Sequence, residues 1–432
     1  MKALWFADAR LPAVAGEASA GGGWVEGLRR ALETHFPEVE LGVATPGPQG
    51  RETVVAGNTT YFSIPTGRAE GRAPRALSLW RHAPVSSAGL AACIEIARSF
   101  SPDVVHVHGS EHYFGLALGA LPMPCVVSLQ GIVTVYERFS FSGLRPTEIL
   151  REVTTRQFLE GYGPLHAHFS LHERAAVERR VLSLCDDFLG RTEWDRTVLR
   201  MLRPEARYHE VGEVLGQAFY GTEWKGGSDD GTLYCTGGAS ALKGVEILLE
   251  ALVLLRRSGV RRPRLRLAGG VTDGPMALKI RRRLGTPELR GAVDVLGRCT
   301  PAQIAEELER ASAFVLPSHM DNSPNTLCEA MLVGTPCIAA SVGGVPSLVQ
   351  DGVDGLLYHD ADPYALAGKI DRLLGDPALA VRLGARARET ALRRHDPQRV
   401  AQQAVDAYRD VLSRRRERGD AADSSTPKEV AP

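Results

Sequence analysis

The sequence predicts an α/β protein built from two Rossmann-like domains. The chain has 432 residues, which is too long for one ordinary hydrophobic core and suits two domains of about 200 residues each. Short apolar strands alternate with amphipathic helices in both halves, which is typical of parallel sheets covered by helices. A stretch rich in Gly, Lys and Asp, residues 211–231, separates the two alternations and predicts a linker.

The composition excludes several classes of protein. Lys and Arg number 51, and Asp and Glu also number 51, so no net charge attracts the chain to nucleic acid. Seven cysteines without a C-x-x-C pair are typical of free thiols in a reducing compartment and indicate no zinc site. The N-terminus begins directly with a strand, and no apolar run reaches the roughly 18 residues of a membrane span. We therefore expect a cytoplasmic protein.

The first half contains strands whose apolar runs end in polar residues. They are predicted at residues 2–7, 40–45, 60–64, 103–109, 125–131 and 187–190. Helices are predicted from Trp24 and at 88–99 and 170–185. An Arg-rich loop before residue 88 contains Arg68, Arg72, Arg75 and Arg81. This loop is either a solvated surface or a patch for an acceptor or a membrane surface.

Residues 132–165 show neither helical nor strand periodicity, which predicts a long irregular segment. In the second half, strands are predicted from Leu233 and at 264–268, 293–297, 313–316 and 351–357. Helices are predicted from Val245 and at 302–310, 362–375, 377–394 and 398–416. Residues 417–432 are polar and predict a disordered tail.

Residues 317–344 carry the strongest functional pattern. Ser323 is a favourable N-cap and Pro324 suits the first helical position, so a helix is predicted from there to about Gly334. A helix N-terminus at the carboxyl end of a strand suits a phosphate. The carboxylates of Asp321 and Glu329 suit hydroxyl groups instead. The combination predicts a ligand that contains both phosphates and sugars, such as a nucleotide-sugar.

This stretch resembles the retaining glycosyltransferases of family 4. Their pattern is Pro-Ser, then two acids separated by seven residues, then Glu-Ala-Met, Gly-x-Pro and a Gly-Gly turn, and the chain has each part between residues 317 and 344. The resemblance implies the GT-B fold, in which two Rossmann-like domains face each other across a cleft. It divides the chain into an acceptor-side domain, 1–212, and a donor-binding domain, 213–397. The helix at 398–416 is expected to cross back to the first domain.

The resemblance also implies roles for single residues. Glu329 is expected to hold the nucleotide ribose, and Asp321 to lie beside the donor sugar, where the family usually has Glu. Lys243 matches the lysine that holds the diphosphate. The arginine that many members carry six residues earlier is Gly237 here, with Ser240 or Arg298 as substitutes.

Further candidates fall on the two sides of the expected cleft. Gln130 stands where many family members carry His, and an amide cannot titrate, so acid–base chemistry is not expected there. On the donor side the candidates are Gly238, Asn322, Ser323, Asn325 and Thr326. On the acceptor side they are Gly22, Gly23, His108 and Arg191. His108 could equally be a core histidine, and Arg191 could form a helix-capping ion pair.

The implied reaction is a retaining transfer of a sugar from a UDP- or GDP-linked donor to an unidentified glycan, lipid or small metabolite. No cofactor or metal is expected, because no acidic triplet of metal-ligand type is present and fixed donors would neutralise the diphosphate. Two other functions are compatible with the sequence: a nucleotide-sugar epimerase on the same fold, and a non-catalytic nucleotide-sugar-binding protein. The oligomeric state, the acceptor and the choice between same-face and covalent retention stay open.

Overall fold

The chain folds into two parallel sheets covered by helices, which confirms the α/β prediction. The computed structural model describes residues 1–8, 23–47, 53–65, 86–152, 164–228, 231–271 and 274–424. Among these residues, no helix is both long enough and apolar enough to cross a membrane. Gly22 and the predicted Arg-rich loop lie outside the described residues.

The first sheet has eight strands. They are β1 (Lys2–Ala7), β2 (Glu40–Gly47), β3 (Val54–Ala56), β4 (Thr59–Pro65), β5 (Val104–His108), β6 (Cys125–Ser128), β7 (Asp187–Gly190) and β8 (Arg207–Glu210). Their order across the sheet is β3-β4-β2-β1-β5-β6-β7-β8. All paired strands are parallel except the edge pair β3 and β4.

Seven helices in the described residues accompany this half of the chain. They are α1 (Gly23–His35), α2 (Ser87–Phe100), α3 (Val133–Tyr136), α4 (Pro146–Glu152), α5 (Pro164–Leu184), α6 (Glu193–Leu202) and α7 (Gln217–Gly221). The prediction of an irregular segment at 132–165 is wrong in part, because α3 and α4 lie within it. The helix predicted at 170–185 begins six residues earlier, since Pro164 occupies its first position, where no amide partner is lost.

The second sheet has six strands, all paired in parallel. They are β9 (Leu233–Thr236), β10 (Leu265–Ala268), β11 (Val293–Gly297), β12 (Ala313–Leu316), β13 (Cys337–Ala340) and β14 (Leu356–Tyr358), in the order β11-β10-β9-β12-β13-β14. The helices are α8 (Val245–Ser258), α9 (Pro275–Leu284), α10 (Pro301–Arg310), α11 (Asn325–Val333), α12 (Pro363–Gly375), α13 (Pro377–Arg394) and α14 (Pro397–Ser424).

Strand periodicity determines which helix each side chain meets. In β9, Leu233 and Cys235 pack in the cluster that contains residues of α8 and α12, whereas Tyr234 points to the opposite face and packs with α11. Successive strand residues point to opposite faces of a sheet, so a strand covered on both sides is apolar throughout. The buried strands therefore determine the positions at which the following loops begin.

Both sheets reverse their winding direction beside their first strand. β1 lies between β2 and β5, and β9 lies between β10 and β12. The loops that leave neighbouring strands at such a point diverge to opposite faces and open a crevice at the carboxyl edge, where open α/β sheets bind ligands. The topology therefore places the ligand crevice of the second sheet between the loops after β9 and β12.

The last helix joins the end of the chain to the first domain. Val400, Ala404 and Tyr408 of α14 are fully buried in the same cluster as residues of α1. The Tyr408 hydroxyl accepts a hydrogen bond from Trp5 Nε1 at 3.0 Å and lies 2.6 Å from His106 Nδ1. α14 extends to Ser424, beyond the predicted end at 416. The rest of the predicted disordered tail, 425–432, lies outside the described residues.

His106 continues the hydrogen bonds of Tyr408. Burial lowers the pKa of His106 to about 3, so the ring is neutral. Its Nδ1 lies 2.6 Å from the Tyr408 hydroxyl and its Nε2 lies 2.7 Å from Ser128 Oγ, so one ring nitrogen donates and the other accepts. This hydrogen-bond chain ties α14 to β1, β5 and β6.

We predict that Tyr408→Phe destabilises the protein by about 1–3 kcal/mol, because it leaves the buried Trp5 and His106 nitrogens without a partner. Urea denaturation of the variant should show a lower midpoint. Tyr364→Phe is the matched control, since Tyr364 is 72% exposed. Equal midpoints for the two variants would show that the chain of hydrogen bonds does not stabilise the docked α14.

Candidate active site

The candidate site lies at the carboxyl edge of the second sheet, in the crevice beside β9. The loop after β9 carries Lys243, and the loop after β12 carries Asp321. The backbone amide of His319 donates to the carbonyl oxygen of Leu242 at 2.9 Å, which joins the two loops. α11 begins four residues after Asp321 and carries Glu329. The fold thus brings Lys243 and Asp321 together and places Glu329 on the helix that follows Asp321.

Glycines give the loop after β9 its shape. Gly237 has φ of 134°, and a Cβ there would lie 2.7 Å from the Cβ of Lys243, too close for two carbon atoms. A Cβ at Gly238 would lie 2.6 Å from the carbonyl oxygen of Gly270. No side chain fits at position 237 without moving Lys243, so the arginine of many family members is sterically excluded here.

Lys243 and Asp321 form an ion pair, with Lys243 Nζ and Asp321 Oδ2 2.7 Å apart. The Ser318 hydroxyl donates to the same carboxylate oxygen at 3.1 Å. The Lys243 side chain is about one-third exposed, at 34%, whereas that of Asp321 is 11% exposed. An ammonium group has three N–H donors, so Lys243 keeps two for a ligand. The ion pair with Asp321 therefore orients the ammonium group of Lys243.

His319 lies between two carboxylates next to this pair. Its Nε2 is 2.7 Å from Glu246 Oε1, and its Nδ1 is 2.8 Å from Asp360 Oδ1. Desolvation lowers the pKa of His319, but the hydrogen bonds to Asp360 and Glu246 outweigh it and raise the pKa to about 9. A Cβ at Gly143 would collide with Glu246, so the first domain packs closely on this cluster. No pattern in the sequence predicted this cation.

The start of α11 differs from the prediction. Pro324 occupies the N-cap position and makes no side-chain cap, and the helix begins at Asn325. The prediction that Ser323 caps the helix is wrong, because its hydroxyl donates to Glu213 Oε1 at 2.5 Å instead. Asn325 and Thr326 form the first turn and are partly exposed. Their amides belong to the end of the helix that carries positive partial charge.

Glu329 is a carboxyl group without a partner. It lies in the second turn of α11, is partly buried, and has no hydrogen-bond or ion-pair partner in the part of the chain that the structure describes. Desolvation raises its pKa to about 7. A protein group that ionises at neutral pH and faces no cation suits hydrogen bonds to hydroxyl groups of a ligand.

Asn322 connects the site to the first domain. Its side chain is fully buried. Asn322 Oδ1 accepts from the Thr192 hydroxyl at 2.5 Å, and its Nδ2 donates to Asp195 Oδ2 at 2.8 Å and to the carbonyl oxygen of Gln130 at 3.4 Å. Thr192 and Asp195 form the capping box of α6. The sequence analysis missed this cap, although the Thr-x-x-Asp spacing is a signal for it. Only the fold shows that Asn322 is its partner.

Arg191 is buried beside Glu213 instead of lining an open surface. Its side chain is 6% exposed, its Nε lies 3.5 Å from Glu213 Oε2, and its guanidinium lies over the Trp24 ring at 4.2 Å. Burial alone would raise the pKa of Glu213, but Arg191 and further cationic neighbours lower it to about 2. The ion-pair alternative for Arg191 thus agrees with the geometry, although the partner is Glu213 and not a helix cap.

His108 is enclosed in an aromatic cluster and cannot touch an acceptor directly in this conformation. It is fully buried, with its ring centroid 4.5 Å from that of Trp5 and 5.1 Å from that of Trp24. Burial, followed by His106 and Arg191, lowers its pKa well below the usual value. Neither ring nitrogen has a hydrogen-bond partner among the described residues. Gly23, the other described acceptor-side candidate, is exposed at the start of α1.

Two proposed substitutes for the missing arginine are exposed. Ser240 accepts the Lys243 amide through its backbone carbonyl at 3.1 Å, but its side chain makes no hydrogen bond within the described ranges. Arg298 directly follows β11 and has no ion-pair partner in the same ranges. Neither side chain contacts the Lys243–Asp321 pair, so both stay predictions as phosphate ligands.

One group of side chains in the described residues has the spacing of a metal site. The ligand atoms of Glu213, Cys328 and His395 all lie within 4.8 Å of one another, and all three residues are buried. Glu213 already accepts hydrogen bonds from Ser323 and Cys328 and faces the cation of Arg191. His395 Nδ1 donates to the Glu213 carbonyl oxygen at 3.0 Å. These contacts are those of a hydrogen-bonded core cluster.

The sequence of the second domain decides its family. Residues 224–390 match the family described as Glycosyl transferases group 1. The second domain belongs to the glycosyltransferase group 1 family. A D-inositol 3-phosphate glycosyltransferase of Frankia alni is 37% identical over 164 residues, which are 36% of this chain and 40% of the relative. The chain therefore aligns with less than half the length of this curated relative.

Solved structures match nearly the whole chain. Sucrose-phosphate synthase from Thermosynechococcus elongatus superposes with a TM-score of 0.71 at 20% identity, covering 95% of this chain and 99% of that protein. Anabaena Alr3699/HepE in complex with UDP and glucose gives a TM-score of 0.64 at 16% identity and covers 95% and 100%. At these identities the likeness shows the fold. The prediction of a GT-B fold is confirmed.

We predict that the protein loses stability as the pH rises from 6.5 towards 9. The pKa of His319 in the folded protein is raised from 6.5 to about 9, so its contribution is fully present below pH 6.5 and is lost as the pH passes the folded value. His319→Gln should flatten this pH dependence in thermal unfolding. The exposed neighbour His359 provides the control, since His359→Gln should keep the parent slope. If the stability of His319→Gln depends on pH as strongly as that of the parent, the charged cluster around His319 is not the source of this dependence.

Proposed function

We propose that the protein is a retaining glycosyltransferase that transfers a sugar from a UDP- or GDP-linked donor to an acceptor hydroxyl group. The observation that carries this proposal is the Lys243–Asp321 ion pair in the crevice of the second sheet. It places a cation suited to a diphosphate beside a carboxylate suited to sugar hydroxyls. The family of the surrounding domain and the UDP and glucose bound by the Anabaena protein support the same donor class.

In the proposed reaction, the bond between the sugar C1 and a diphosphate oxygen breaks while C1 bonds to the acceptor oxygen. Negative charge grows on the leaving diphosphate, and the Lys243 ammonium group stabilises it more in the transition state than in the donor complex. Asp321 uses one of the three ammonium N–H groups and leaves the others for phosphate oxygens. Protein donors then neutralise the leaving group without a metal ion.

Same-face attack accounts for retention with the residues present. The acceptor proton passes to an oxygen of the leaving phosphate, so no protein base is required. The side-chain amide of Gln130 does not titrate. Its backbone carbonyl oxygen accepts a hydrogen bond from Asn322 Nδ2. Asp321 Oδ2 already accepts from Lys243 and Ser318, which suits a hydrogen-bond acceptor for sugar hydroxyls better than a nucleophile.

Glu329 is proposed to bind the nucleotide ribose. Its carboxyl group ionises near pH 7 because it is desolvated and has no cationic partner. Two ribose hydroxyl groups can donate to its two oxygens, and such bonds favour the ionised form.

The acceptor stays unidentified. The donor class can be tested by thermal stabilisation with a set of UDP- and GDP-sugars, since a ligand at 100 times its Kd adds about 2.7 kcal/mol.

Transfer itself requires a product assay. The stabilising donor, incubated with candidate acceptors, should give a glycosylated product or slow donor hydrolysis. Release of an epimerised nucleotide-sugar would contradict the proposed function and support an epimerase. Binding of the donor with neither transfer nor hydrolysis would instead identify a nucleotide-sugar-binding protein.

We predict that Glu329→Ala weakens binding of the nucleoside diphosphate by roughly 1.5–3 kcal/mol, because charge-assisted hydrogen bonds to the ribose are lost. Affinity of the parent should rise with pH through the pKa of about 7, since ligand binding favours the carboxylate. Calorimetric titration of Glu329→Gln at several pH values should show a smaller rise, because only the ligand still titrates. Glu306→Gln, at an exposed position of α10, should behave like the parent.

We predict that Lys243→Ala lowers kcat by roughly 10²–10³-fold, as for loss of one group that stabilises transition-state charge. Asp321→Asn should also lower the transfer rate, but it should bind the nucleoside diphosphate as tightly as the parent or more tightly, because Lys243 loses its counter-ion. Lys369→Ala removes the exposed pair with Asp351 and should leave both quantities unchanged. Full transfer activity in both site variants would remove the ion pair from the mechanism.

A further inference from the structure

A polar cavity lies at the hinge between the two domains, and Lys243 is not among the residues that line it. We call it the hinge cavity. Its volume is about 190 Å³. Four of the side chains that line it are arginines: Arg191, Arg393, Arg394 and Arg399. They come from the end of β7 in the first domain, the last turn of α13 in the second domain, and the first turn of α14.

The acidic groups around the cavity do not balance these four cations. Glu213 pairs with Arg191 at 3.5 Å, and Glu389 pairs with Arg393 at 2.6 Å. Glu210 is the one acidic residue in the cavity lining, and its carboxylate lies 3.4 Å from Arg196, outside that lining. Asp396 accepts from the backbone amide of Arg399 at 2.7 Å. These acidic groups pair with Arg191 and Arg393, which leaves Arg394 and Arg399 in the lining.

Arg394 and Arg399 have no ion-pair partner among the described residues. Arg394 donates from Nη2 to the carbonyl oxygen of Arg191. The lining contains four arginines and one acidic residue, Glu210. The cavity therefore carries excess positive charge.

Helix dipoles explain only part of this arrangement. Arg393 and Arg394 lie in the last turn of α13, where a cation interacts favourably with the helix dipole. Arg399, however, lies in the first turn of α14, where the positive end of the dipole disfavours a cation. A bound anion would relieve this repulsion.

We propose that the hinge cavity binds a phosphate group, either as free inorganic phosphate or as a small phosphomonoester. The planar guanidinium group suits bidentate recognition of phosphate oxygens. A volume of about 190 Å³ exceeds the roughly 30 Å³ that one water occupies in the liquid several-fold, so a phosphate group fits. Because both domains and α14 line the cavity, the anion stabilises their arrangement. This site is independent of the proposed sugar transfer.

Calorimetric titration tests the proposal directly. Inorganic phosphate and glycerol 3-phosphate are titrated into the full chain carrying Lys243→Ala, so that the other candidate phosphate site lacks its cation. Sodium chloride at matched ionic strength measures the non-specific effect. We expect at least one of the two phosphates to bind, and the tighter of them identifies the source as the free ion or the phosphomonoester.

Variants of exposed arginines locate the binding. Arg399→Gln in the same background should weaken phosphate binding at least tenfold. Arg386→Gln, on the exposed face of α13, removes an arginine that also pairs with Glu389 and should leave the affinity unchanged. The proposal is overturned if neither phosphate binds more tightly than chloride, or if Arg399→Gln binds phosphate as tightly as Arg386→Gln. Circular dichroism confirms that both variants are folded.

Discussion

The geometry of the candidate site depends on the buried side-chain amide of Asn322. Both ends of this amide bond to the first domain, through Thr192 and Asp195. Since a buried amide without partners costs about 1–3 kcal/mol, the two domains meet at this point in one defined register. Asp321 is the adjacent residue, and its ion pair with Lys243 is therefore positioned relative to the first domain as well as to its own sheet.

The charged groups near the crevice differ in how their charge is compensated. His319 lies between Glu246 and Asp360, and Glu213 faces Arg191. These ion pairs stabilise the packing of the segments that carry them. Glu329 has no such partner in the described chain, and its pKa of about 7 reflects that. Compensated charges maintain a fold, whereas an uncompensated carboxyl group in a crevice is typical of a ligand site. This contrast, more than the position of the motif, distinguishes Glu329 from its neighbours.

Two departures from the family pattern lie beside the ion pair. Gly237 has φ of 134°, and a Cβ there would lie 2.7 Å from the Cβ of Lys243, so this backbone suits glycine. Asp321 is shorter than the usual glutamate and yet lies 2.7 Å from Lys243 Nζ, because the His319 amide joins its loop to Leu242. With these residues, Lys243 is the cation beside the acid at this edge of the sheet.

The sequence by itself determined the two parallel sheets and the candidate residues Lys243, Asp321 and Glu329. Strand and helix periodicity are local properties of the chain. Asp321 and Glu329 lie within one stretch of 28 residues, and Lys243 was matched in a separate short stretch after a strand, so none of these predictions depends on distant contacts. Only the tertiary structure decided that Ser323 bonds to Glu213 instead of capping α11, and that His108 is enclosed by Trp5 and Trp24. These outcomes depend on partners more than 80 residues away in the chain, and local propensity carries no information about which distant group a polar side chain will meet.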